Sequence, residues 1–392
     1  MKKYFCVSRS LIAPVVSNSE EYYICQSKLR FVFGFYIKQA NLFLFIKQYL
    51  SIFLSNDSQY DYLFKTNYIR RKMRFPAFKN IEFIHGFFLR AKRAERYFYD
   101  LYFRSELQTS NCSTVLIWNG SPSPSSILKE IALSLNLECF FWELGYFPGT
   151  VQIDPNGVNY ENSLPRNPDF YFKNKAKLNQ YERPEIIGIR ESKKKLEGEI
   201  ELPNQYIFVP FQVPSDSQIL DYSNWIKDME HLYQVIFELA CAFDHLNFVI
   251  KEHPSYKISI IEKVKKHKRI LFANSNKTPD LLAHCDYVIT VNSTVGIEAL
   301  VYNKPVITLG SACYNIQGLV ENCSNMDQLN FAVSNFDVNN FDNELRDVFL
   351  KYLKHVFLVP LSIKSGHFNE IDITNVGRRL KDSDANSEFI YD

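Results

Sequence analysis

Between residues 205 and 310 the chain alternates short apolar runs with turns and amphipathic stretches. The runs are QYIFVPFQV, NFVIKEHP, KRILFA, YVITVN and PVITLG. Runs of four to eight residues that are rich in β-branched and aromatic side chains predict buried strands, and the helical spacing between them predicts crossover helices. At least five such repeats indicate a parallel α/β domain over about residues 200–335.

A shorter pattern of the same kind lies between residues 114 and 147. TVLIWNG and ECFFWELGYF read as strands, and SILKEIALSLNL between them has helical spacing. This βαβ unit predicts a second parallel sheet, with Asn119 and Glu143 as polar residues at the strand ends. The segment PGTVQIDPNGVNYENSLPR that follows is rich in Pro, Gly and Asn, and we expect it to form a long loop.

Together the two patterns predict two Rossmann-like parallel α/β domains that face each other across a cleft. The first is expected to cover residues 1–190 and the second residues 200–335, with the charged segment 174–204 as the crossover. A helical tail over residues 336–392 is expected to follow, and it could pack back on the first domain.

Residues 31–55, FVFGFYIKQANLFLFIKQYLSIFLS, form the most apolar stretch of the aromatic-rich first 110 residues. Five Lys, Gln and Asn residues interrupt it, so it is not a membrane span. An aromatic-rich core helix is the favoured interpretation, and an interfacial helix that lies on a membrane is the alternative. The start MKKYFCVSRSLIAPVV has Ser8, Arg9 and Ser10 where a secretory signal is apolar, so we expect a cytoplasmic protein.

Composition excludes several classes of function. The chain has 392 residues with 45 Lys and Arg against 43 Asp and Glu, so it has no overall charge that favours nucleic acid. Its eight cysteines show no CxxC spacing, which predicts buried reduced thiols in place of disulfides or zinc ligands. No metal site and no cofactor other than the donor substrate is expected.

Two polar clusters follow strands of the second domain. In Lys251-Glu252-His253-Pro254, the proline stiffens the turn, and His253 could cap backbone, bind phosphate or carry a proton. In Asn292-Ser293-Thr294-Val295-Gly296, hydroxyl groups meet a predicted helix N-terminus, which is a phosphate site or a plain serine cap. Gly296 allows close approach of backbone or ligand. Glu298 in the first turn either complements the helix dipole or accepts from ribose hydroxyls.

Two carboxylates come from different domains. Asp216 lies in the loop Gln212-Val213-Pro214-Ser215-Asp216-Ser217-Gln218 after the first strand of the second domain, and Glu143 follows a strand of the first. A turn-forming aspartate is the simpler interpretation of this loop alone. One carboxylate from each side of a cleft is, however, the minimum equipment for glycosyl transfer with retention.

Four motifs in this order resemble those of bacterial capsular polysaccharide synthesis and export proteins, which include retaining β-Kdo glycosyltransferases that use CMP-Kdo. The motifs are FWELGYFPGTVQIDPNGVN, VPFQVPSDSQI, KEHP and VNSTVGIEALVYNKPVITLGSACYNIQG, within about residues 115–320. The resemblance implies the GT-B arrangement of two domains. The chain has Leu144 where some relatives have a second acid, which indicates a different subfamily.

The resemblance also implies roles for individual residues. Asp216 corresponds to the nucleophile that forms a covalent sugar adduct, and Glu143 to the catalytic acid/base. His253 is expected to serve both catalysis and nucleotide binding. The other residues expected to bind the nucleotide sugar are Gln212, Lys251, Asn292, Ser293, Thr294, Gly296 and Glu298. Asp154 and Asn159 match a loop motif of the family, for which we expect a structural or acceptor-side role.

The expected function is therefore retaining transfer of Kdo or a similar acidic sugar from a CMP-activated donor to a glycan or glycolipid acceptor. Two alternatives stay open: a transferase of the same architecture that uses a UDP- or GDP-sugar, and a non-catalytic component of capsule assembly or export. The expected partners are the donor, the acceptor and other capsule-assembly proteins, with contact at the inner membrane as a further possibility. No nucleic acid is expected.

Overall fold

The chain forms two units, each with hydrophobic residues packed on its own sheet. The computed structural model describes residues 3–7, 20–75, 81–185, 198–256, 258–361 and 370–390. Unit 1 comprises Met1–Gly145, Gly149–Ser163 and Val359–Ser387, and unit 2 comprises Tyr146–Pro148, Leu164–Leu358 and Glu388–Asp392.

Unit 1 contains a mixed six-stranded sheet of order β12-β5-β4-β3-β1-β2. The four strands β1 to β4 are parallel to one another, whereas β5 runs antiparallel to both β4 and β12. Its strands are β1 (Tyr4–Val7), β2 (Tyr22–Cys25), β3 (Thr114–Trp118), β4 (Glu138–Leu144), β5 (Thr150–Asp154) and β12 (Val359–Pro360).

Alternating side chains bury both faces of this sheet, because successive residues of a strand point to opposite sides. Phe5 and Ile117 pack on one face under the long helix α4, whereas Tyr4 and Leu116 pack on the other under α14. The helices of this unit are α1 (Leu29–Ala40), α2 (Leu42–Leu54), α3 (Lys65–Arg74), α4 (Glu82–Ser110), α5 (Ser125–Ser134) and α14 (Glu370–Leu380), with a 3₁₀ turn at Asp61–Phe64.

Unit 2 contains an all-parallel sheet of order β11-β10-β9-β6-β7-β8. Its strands are β6 (Ile207–Pro210), β7 (Phe248–Lys251), β8 (Ile270–Phe272), β9 (Tyr287–Thr290), β10 (Val306–Thr308) and β11 (Glu321–Asn322). Its helices are α6 (Pro168–Lys173), α7 (Lys175–Leu178), α8 (Ser217–Tyr222), α9 (Met229–Ala242), α10 (Thr278–His284), α11 (Thr294–Val301), α12 (Met326–Ser334) and α13 (Asn343–Tyr352), while α15 (Ala385–Ile390) has residues in both units.

The predicted α/β class is confirmed, and so are the strands β3, β4 and β6 to β10. The expected long loop after β4 is partly wrong, because VQID forms β5. Val151 and Ile153 of this strand are buried in the core, and their alternation with Gln152 and Asp154 fits a strand with a period of two. The strands β1 and β2, in the first 110 residues, were not predicted from the sequence.

The boundaries between the two units differ from the expected domain boundaries. From Leu164 the chain belongs to unit 2, well before the expected boundary at residue 190. Tyr171 of α6 packs edge-on against Phe349 and Tyr352 of α13, with ring centroids 5.7 Å apart in both pairs. The expected helical tail over 336–392 is divided: α13 belongs to unit 2, whereas β12 pairs with β5 in unit 1. Much of the expected crossover, residues 186–197, lies outside the described residues.

The cysteine prediction is confirmed. All eight cysteines are free thiols, and all but Cys241 are buried. Burial raises the pKa of the Cys139 thiol to about 11 and that of Cys285 to about 12, so these thiols stay protonated near neutral pH.

Residues 31–55 form two helices, not one. Among the described residues no single helix is long and apolar enough to cross a bilayer, and α1 and α2, which reach that length together, are bent by 118°. The prediction of a core helix is wrong for α2, which has no fully buried residue, and α1 buries only Val32 fully.

Candidate functional site

The strand order of unit 2 brings together the ends of the three strands that carry the predicted site. β6 lies between β9 and β7, and Pro210 of β6 is in register with Lys251 of β7. Because all three strands are parallel, the segments that follow them meet at one edge of the sheet, where open α/β sheets bind ligands.

Gln212 and Asn292 tie two of these segments together. The Gln212 side-chain amide donates to Asn292 Oδ1 at 2.9 Å, and the Asn292 backbone N–H donates to Gln212 Oε1 at 3.1 Å. Asn292 Nδ2 also donates to the Gln218 and Ser311 carbonyls, at 2.8 and 3.3 Å. Both side chains are buried. We expected them to bind the donor directly, but their bonds within the protein fit a role in positioning the loops.

Ser293 begins helix α11. Its side chain accepts from the Val295 N–H at 3.2 Å, and its carbonyl accepts from the hydroxyl of buried Tyr314 at 2.5 Å. The serine is thus a helix cap at the carboxyl edge of the sheet, and the positive end of the helix dipole lies at that edge.

Gly296 is required by Tyr314. A Cβ atom at Gly296 would lie 2.2 Å from the Tyr314 hydroxyl oxygen and 2.6 Å from its Cζ atom. We expected this glycine to give room to backbone or ligand. The structure assigns that room to a tyrosine that fixes the turn at Ser293.

Thr294 and Glu298 lie on one face of α11. They are four residues apart, which places them on the same side of successive helical turns. Both side chains are partly exposed, whereas Gly296, Ile297 and Ala299 are buried. A hydroxyl and a carboxylate on this face suit phosphate and ribose, so the expectation for both residues stands as a proposal.

Lys251 holds a neighbouring loop. Its ammonium donates to the Asn274 carbonyl at 2.9 Å and to the Asn276 carbonyl, and burial lowers its pKa. We expected it to bind the donor, but its contacts instead fasten the loop after β8.

Glu252, which sequence analysis did not select, holds the segment after His253. Its carboxylate accepts from Ser259 Oγ and the Ile260 N–H, both at 2.8 Å, and from Asn274 Nδ2 at 2.9 Å. Its position after a strand was the only sign of a role for Glu252 in the sequence. The three groups that donate to its carboxylate come from later segments, so the local sequence does not indicate these contacts.

His253 is oriented by a backbone contact. The Ser255 N–H donates to His253 Nδ1 at 3.2 Å, so in the neutral ring the hydrogen is on Nε2. The expected role at a phosphate is compatible with an Nε2–H donor at this edge.

Asp216 is exposed and caps α8. Its Oδ1 accepts from the Gln218 N–H at 3.0 Å and is 3.5 Å from Ser217 Oγ. The expected turn-forming role is therefore present. Oδ2 takes no hydrogen bond from the described residues, and a second role for that oxygen is compatible with the cap.

Glu143 is held at a strand end of unit 1. Asn119 Nδ2 donates to Glu143 Oε2 at 2.9 Å, and the Leu144 N–H lies 3.0 Å from Oε1. Asn119 and Glu143 come together because Trp118 and Trp142, which precede them, are in register in parallel strands.

A buried polar network supports the strand of Glu143. Gln152, which is opposite Glu143 in the β4–β5 pair, donates to the Leu144 carbonyl at 3.0 Å and accepts from the Asn159 N–H at 3.0 Å. Asp154 accepts from the N–H groups of Asn156 and Ser163 at 2.8 and 2.9 Å. These bonds fit the structural role expected for Asp154 and Asn159.

Comparison with known proteins places this chain in a family. The family described as capsule polysaccharide biosynthesis protein matches residues 113–198 and 187–359, which contain every residue of the predicted site. The chain belongs to this family. The expected resemblance is thereby confirmed.

Two curated relatives are similar to this chain in sequence. Protein FixF of Sinorhizobium fredii (strain NBRC 101917 / NGR234) is 38% identical over 339 residues, which cover 86% of this chain and 81% of FixF. Capsule polysaccharide export protein KpsS of Escherichia coli is 26% identical over 258 residues, which cover 49% of this chain and 65% of KpsS.

Among solved structures, the β Kdo 2,4 transferase of Thermosulfurimonas dismutans KpsC is similar at a TM-score of 0.47 and 18% identity, over 68% of this chain and 87% of that one.

Replacing Gly296 by alanine is expected to destabilise the protein by about 1–3 kcal/mol, because the new methyl group overlaps Tyr314 and must displace it from Ser293. Thermal or urea unfolding measures the change. Gly377→Ala is the matched control, because Gly377 also lies in a helix and its Cβ would meet nothing within 4 Å. The control should be neutral or stabilising. Equal stability of Gly296→Ala and wild type would contradict the packing role.

A double-mutant cycle tests whether Gln212 and Asn292 act as a pair. Each single change to alanine should cost about 1–3 kcal/mol, because it leaves buried polar groups of the other residue without a partner. The double variant should lose less stability than the sum of the two single variants, because the interaction between the two side chains is lost only once. Additive costs in urea unfolding would show that the two side chains act independently.

Proposed function

We propose that this protein is a cytoplasmic, retaining glycosyltransferase of capsular or surface polysaccharide biosynthesis. Its donor is proposed to be a CMP-activated acidic sugar, Kdo or a close analogue, and its acceptor a glycan or glycolipid. Family membership supports the pathway. The observation that carries the proposal is the polar edge of unit 2, where the ends of β6, β7 and β9 meet at a helix N-terminus.

This edge suits the nucleotide part of a donor. The N-terminus of α11 attracts a phosphate through its dipole, and Nε2–H of His253 can donate to a phosphate oxygen. Thr294 and Glu298, on one exposed face of the same helix, supply a hydroxyl donor and a carboxylate acceptor for phosphate and ribose. Gln212, Asn292 and Lys251 hold the loops that carry these groups.

The proposed chemistry is a double displacement. Asp216 Oδ2 attacks the anomeric carbon, and the bond from that carbon to the CMP phosphate oxygen breaks, so that CMP leaves with the electron pair. The acceptor hydroxyl oxygen then attacks the same carbon and displaces Asp216, while Glu143 takes the hydroxyl proton. Two inversions retain the configuration. The cap bond of Asp216 through Oδ1 fixes the carboxylate and keeps Oδ2 for attack.

Two further expectations belong to this proposal: peripheral association with the inner membrane, and contact with other capsule-assembly proteins. Both fit an enzyme that extends a glycan or glycolipid for export.

Nucleotide binding separates the proposed donor from the alternatives. Thermal unfolding with CMP, UMP and GMP should show a rise in Tm with CMP alone, because binding to the folded state stabilises it by mass action. A shift with UMP or GMP alone would assign the donor to another nucleotide class. No shift with any nucleotide would favour a non-catalytic role in capsule assembly.

Asp216→Asn is expected to lower transfer at least about a thousandfold, while CMP still raises Tm as in wild type. Asparagine keeps an oxygen that can cap α8 but loses the anionic nucleophile. Asp337→Asn is the matched control, because Asp337 caps residues Val338–Asn340 through the same kind of bond, to the Asn339 N–H. Transfer at the wild-type rate in Asp216→Asn would refute the assigned nucleophile.

A further inference from the structure

Helix α2 and the start of α4 expose a set of large apolar side chains. Phe43, the most exposed of these on α2, has 73% of its surface accessible, and Phe83 on α4 has 81%. We call this set the apolar face; it consists of Leu42, Phe43, Ile46, Leu50 and Leu54 of α2 with Phe83 and Phe87 of α4.

The opposite side of α2 is apolar as well. Phe45 packs against Phe98 of α4 with ring centroids 4.9 Å apart, and Tyr49 packs against the same ring at 6.3 Å. A surface helix of a globular protein normally has one apolar stripe and a polar outer side. An outer side of Leu, Ile and Phe is expected where something other than water covers the helix.

The two parts of the apolar face are joined. Phe53 of α2 meets Phe87 edge-on with ring centroids 4.8 Å apart, and Phe83 lies one turn before Phe87 on α4. The exposed residues therefore form one surface across two helices.

Basic side chains lie on the two helices that carry this surface and on the neighbouring helix α3. Lys47 is exposed on α2 itself, and Arg90 donates to Asn56 Oδ1 at 3.2 Å, directly after the end of α2. The guanidinium of Arg71 lies 4.8 Å from the centre of the Phe88 ring, and the ammonium of Lys92 lies 5.7 Å from it.

The composition of the segment that contains α2 and the start of α4 also shows an excess of positive charge. Residues 28–93 contain thirteen Lys and Arg against three Asp and Glu, whereas the complete chain has 45 against 43. Of the three acids, Asp61 is paired with Arg93, and Asp57 and Glu82 are exposed. The excess of positive charge is thus concentrated in the segment that contains the apolar face.

We propose that the apolar face is a docking surface for an anionic lipid bilayer. Helix α2 lies in the plane of the interface, with its apolar side chains among the acyl chains and the surrounding Lys and Arg at the lipid phosphates. From Leu42 to Leu54 the helix is about 18 Å long. It is too short to cross a hydrocarbon core of about 30 Å, and the 118° bend prevents a straight span with α1.

A second copy of this chain is a poorer partner. Pairing two apolar faces around a twofold axis would place each basic rim near the other, and like charges repel. An anionic membrane satisfies both the apolar and the basic part of the surface.

The inference deepens the proposed peripheral association by naming the surface and the lipid chemistry. Its test measures vesicle binding and not glycosyl transfer, so either proposal can fail alone.

Co-sedimentation of the full chain with vesicles tests the docking surface. Vesicles of phosphatidylcholine alone are compared with vesicles that also contain phosphatidylglycerol, at low ionic strength. The apolar variant is Phe43→Gln with Ile46→Gln and Leu50→Gln, and its control is Phe331→Gln, an exposed phenylalanine of unit 2. The charge variant is Lys47→Gln with Arg90→Gln, and its control is Lys263→Gln with Lys277→Gln, both exposed in unit 2.

Wild type and both controls should bind the anionic vesicles and bind phosphatidylcholine much more weakly. The apolar variant should lose at least about tenfold in binding, and the charge variant about fivefold for each charge removed. Wild type that does not bind anionic vesicles, or variants that bind as well as their controls, would overturn the proposal. So would a wild-type dimer in size-exclusion chromatography with light scattering that the apolar variant converts to monomer without any vesicle binding.

Discussion

The reciprocal hydrogen bonds between Gln212 and Asn292 are the constraint on which the candidate site depends. They join the segments that follow two neighbouring parallel strands, and the remaining amide hydrogens of Asn292 fasten the Gln218 and Ser311 carbonyls. Buried amides without partners are costly, so this arrangement favours one loop geometry strongly. This loop geometry positions both the helix cap at Ser293 and the loop that contains Asp216.

The polar residues at this edge divide into two groups with different tasks. Gln212, Asn292 and Lys251 have their polar atoms engaged within the protein, and Glu252 fastens the segment after His253. At the outer side, Thr294 is partly exposed and Asp216 is exposed. A preorganised binding site requires rigid supporting groups and accessible binding groups, because its geometry is in place before the ligand arrives.

Most of unit 2 could be predicted from the sequence, because strands buried on both faces read as continuous apolar runs. Unit 1 was harder. Phe5 pairs with Val115, more than a hundred residues away, and a four-residue strand at the N-terminus has no local signal for that partner. The role of Lys251 could not be predicted from the sequence either. Its acceptors are backbone carbonyls of a loop after the next strand, and every residue type has a backbone carbonyl. Gly296 was recognised as special, but the tyrosine that requires it lies eighteen positions later.

In the proposed mechanism, Asp216 forms a bond to the sugar while unit 2 holds the nucleotide. Intact-protein mass spectrometry after incubation with CMP-Kdo and no acceptor tests it most directly. We expect a species heavier by one sugar residue, with the added mass on the peptide that contains Asp216 and absent from Asp216→Asn. An adduct on another residue, or none under conditions in which the protein transfers the sugar to an acceptor, would contradict it.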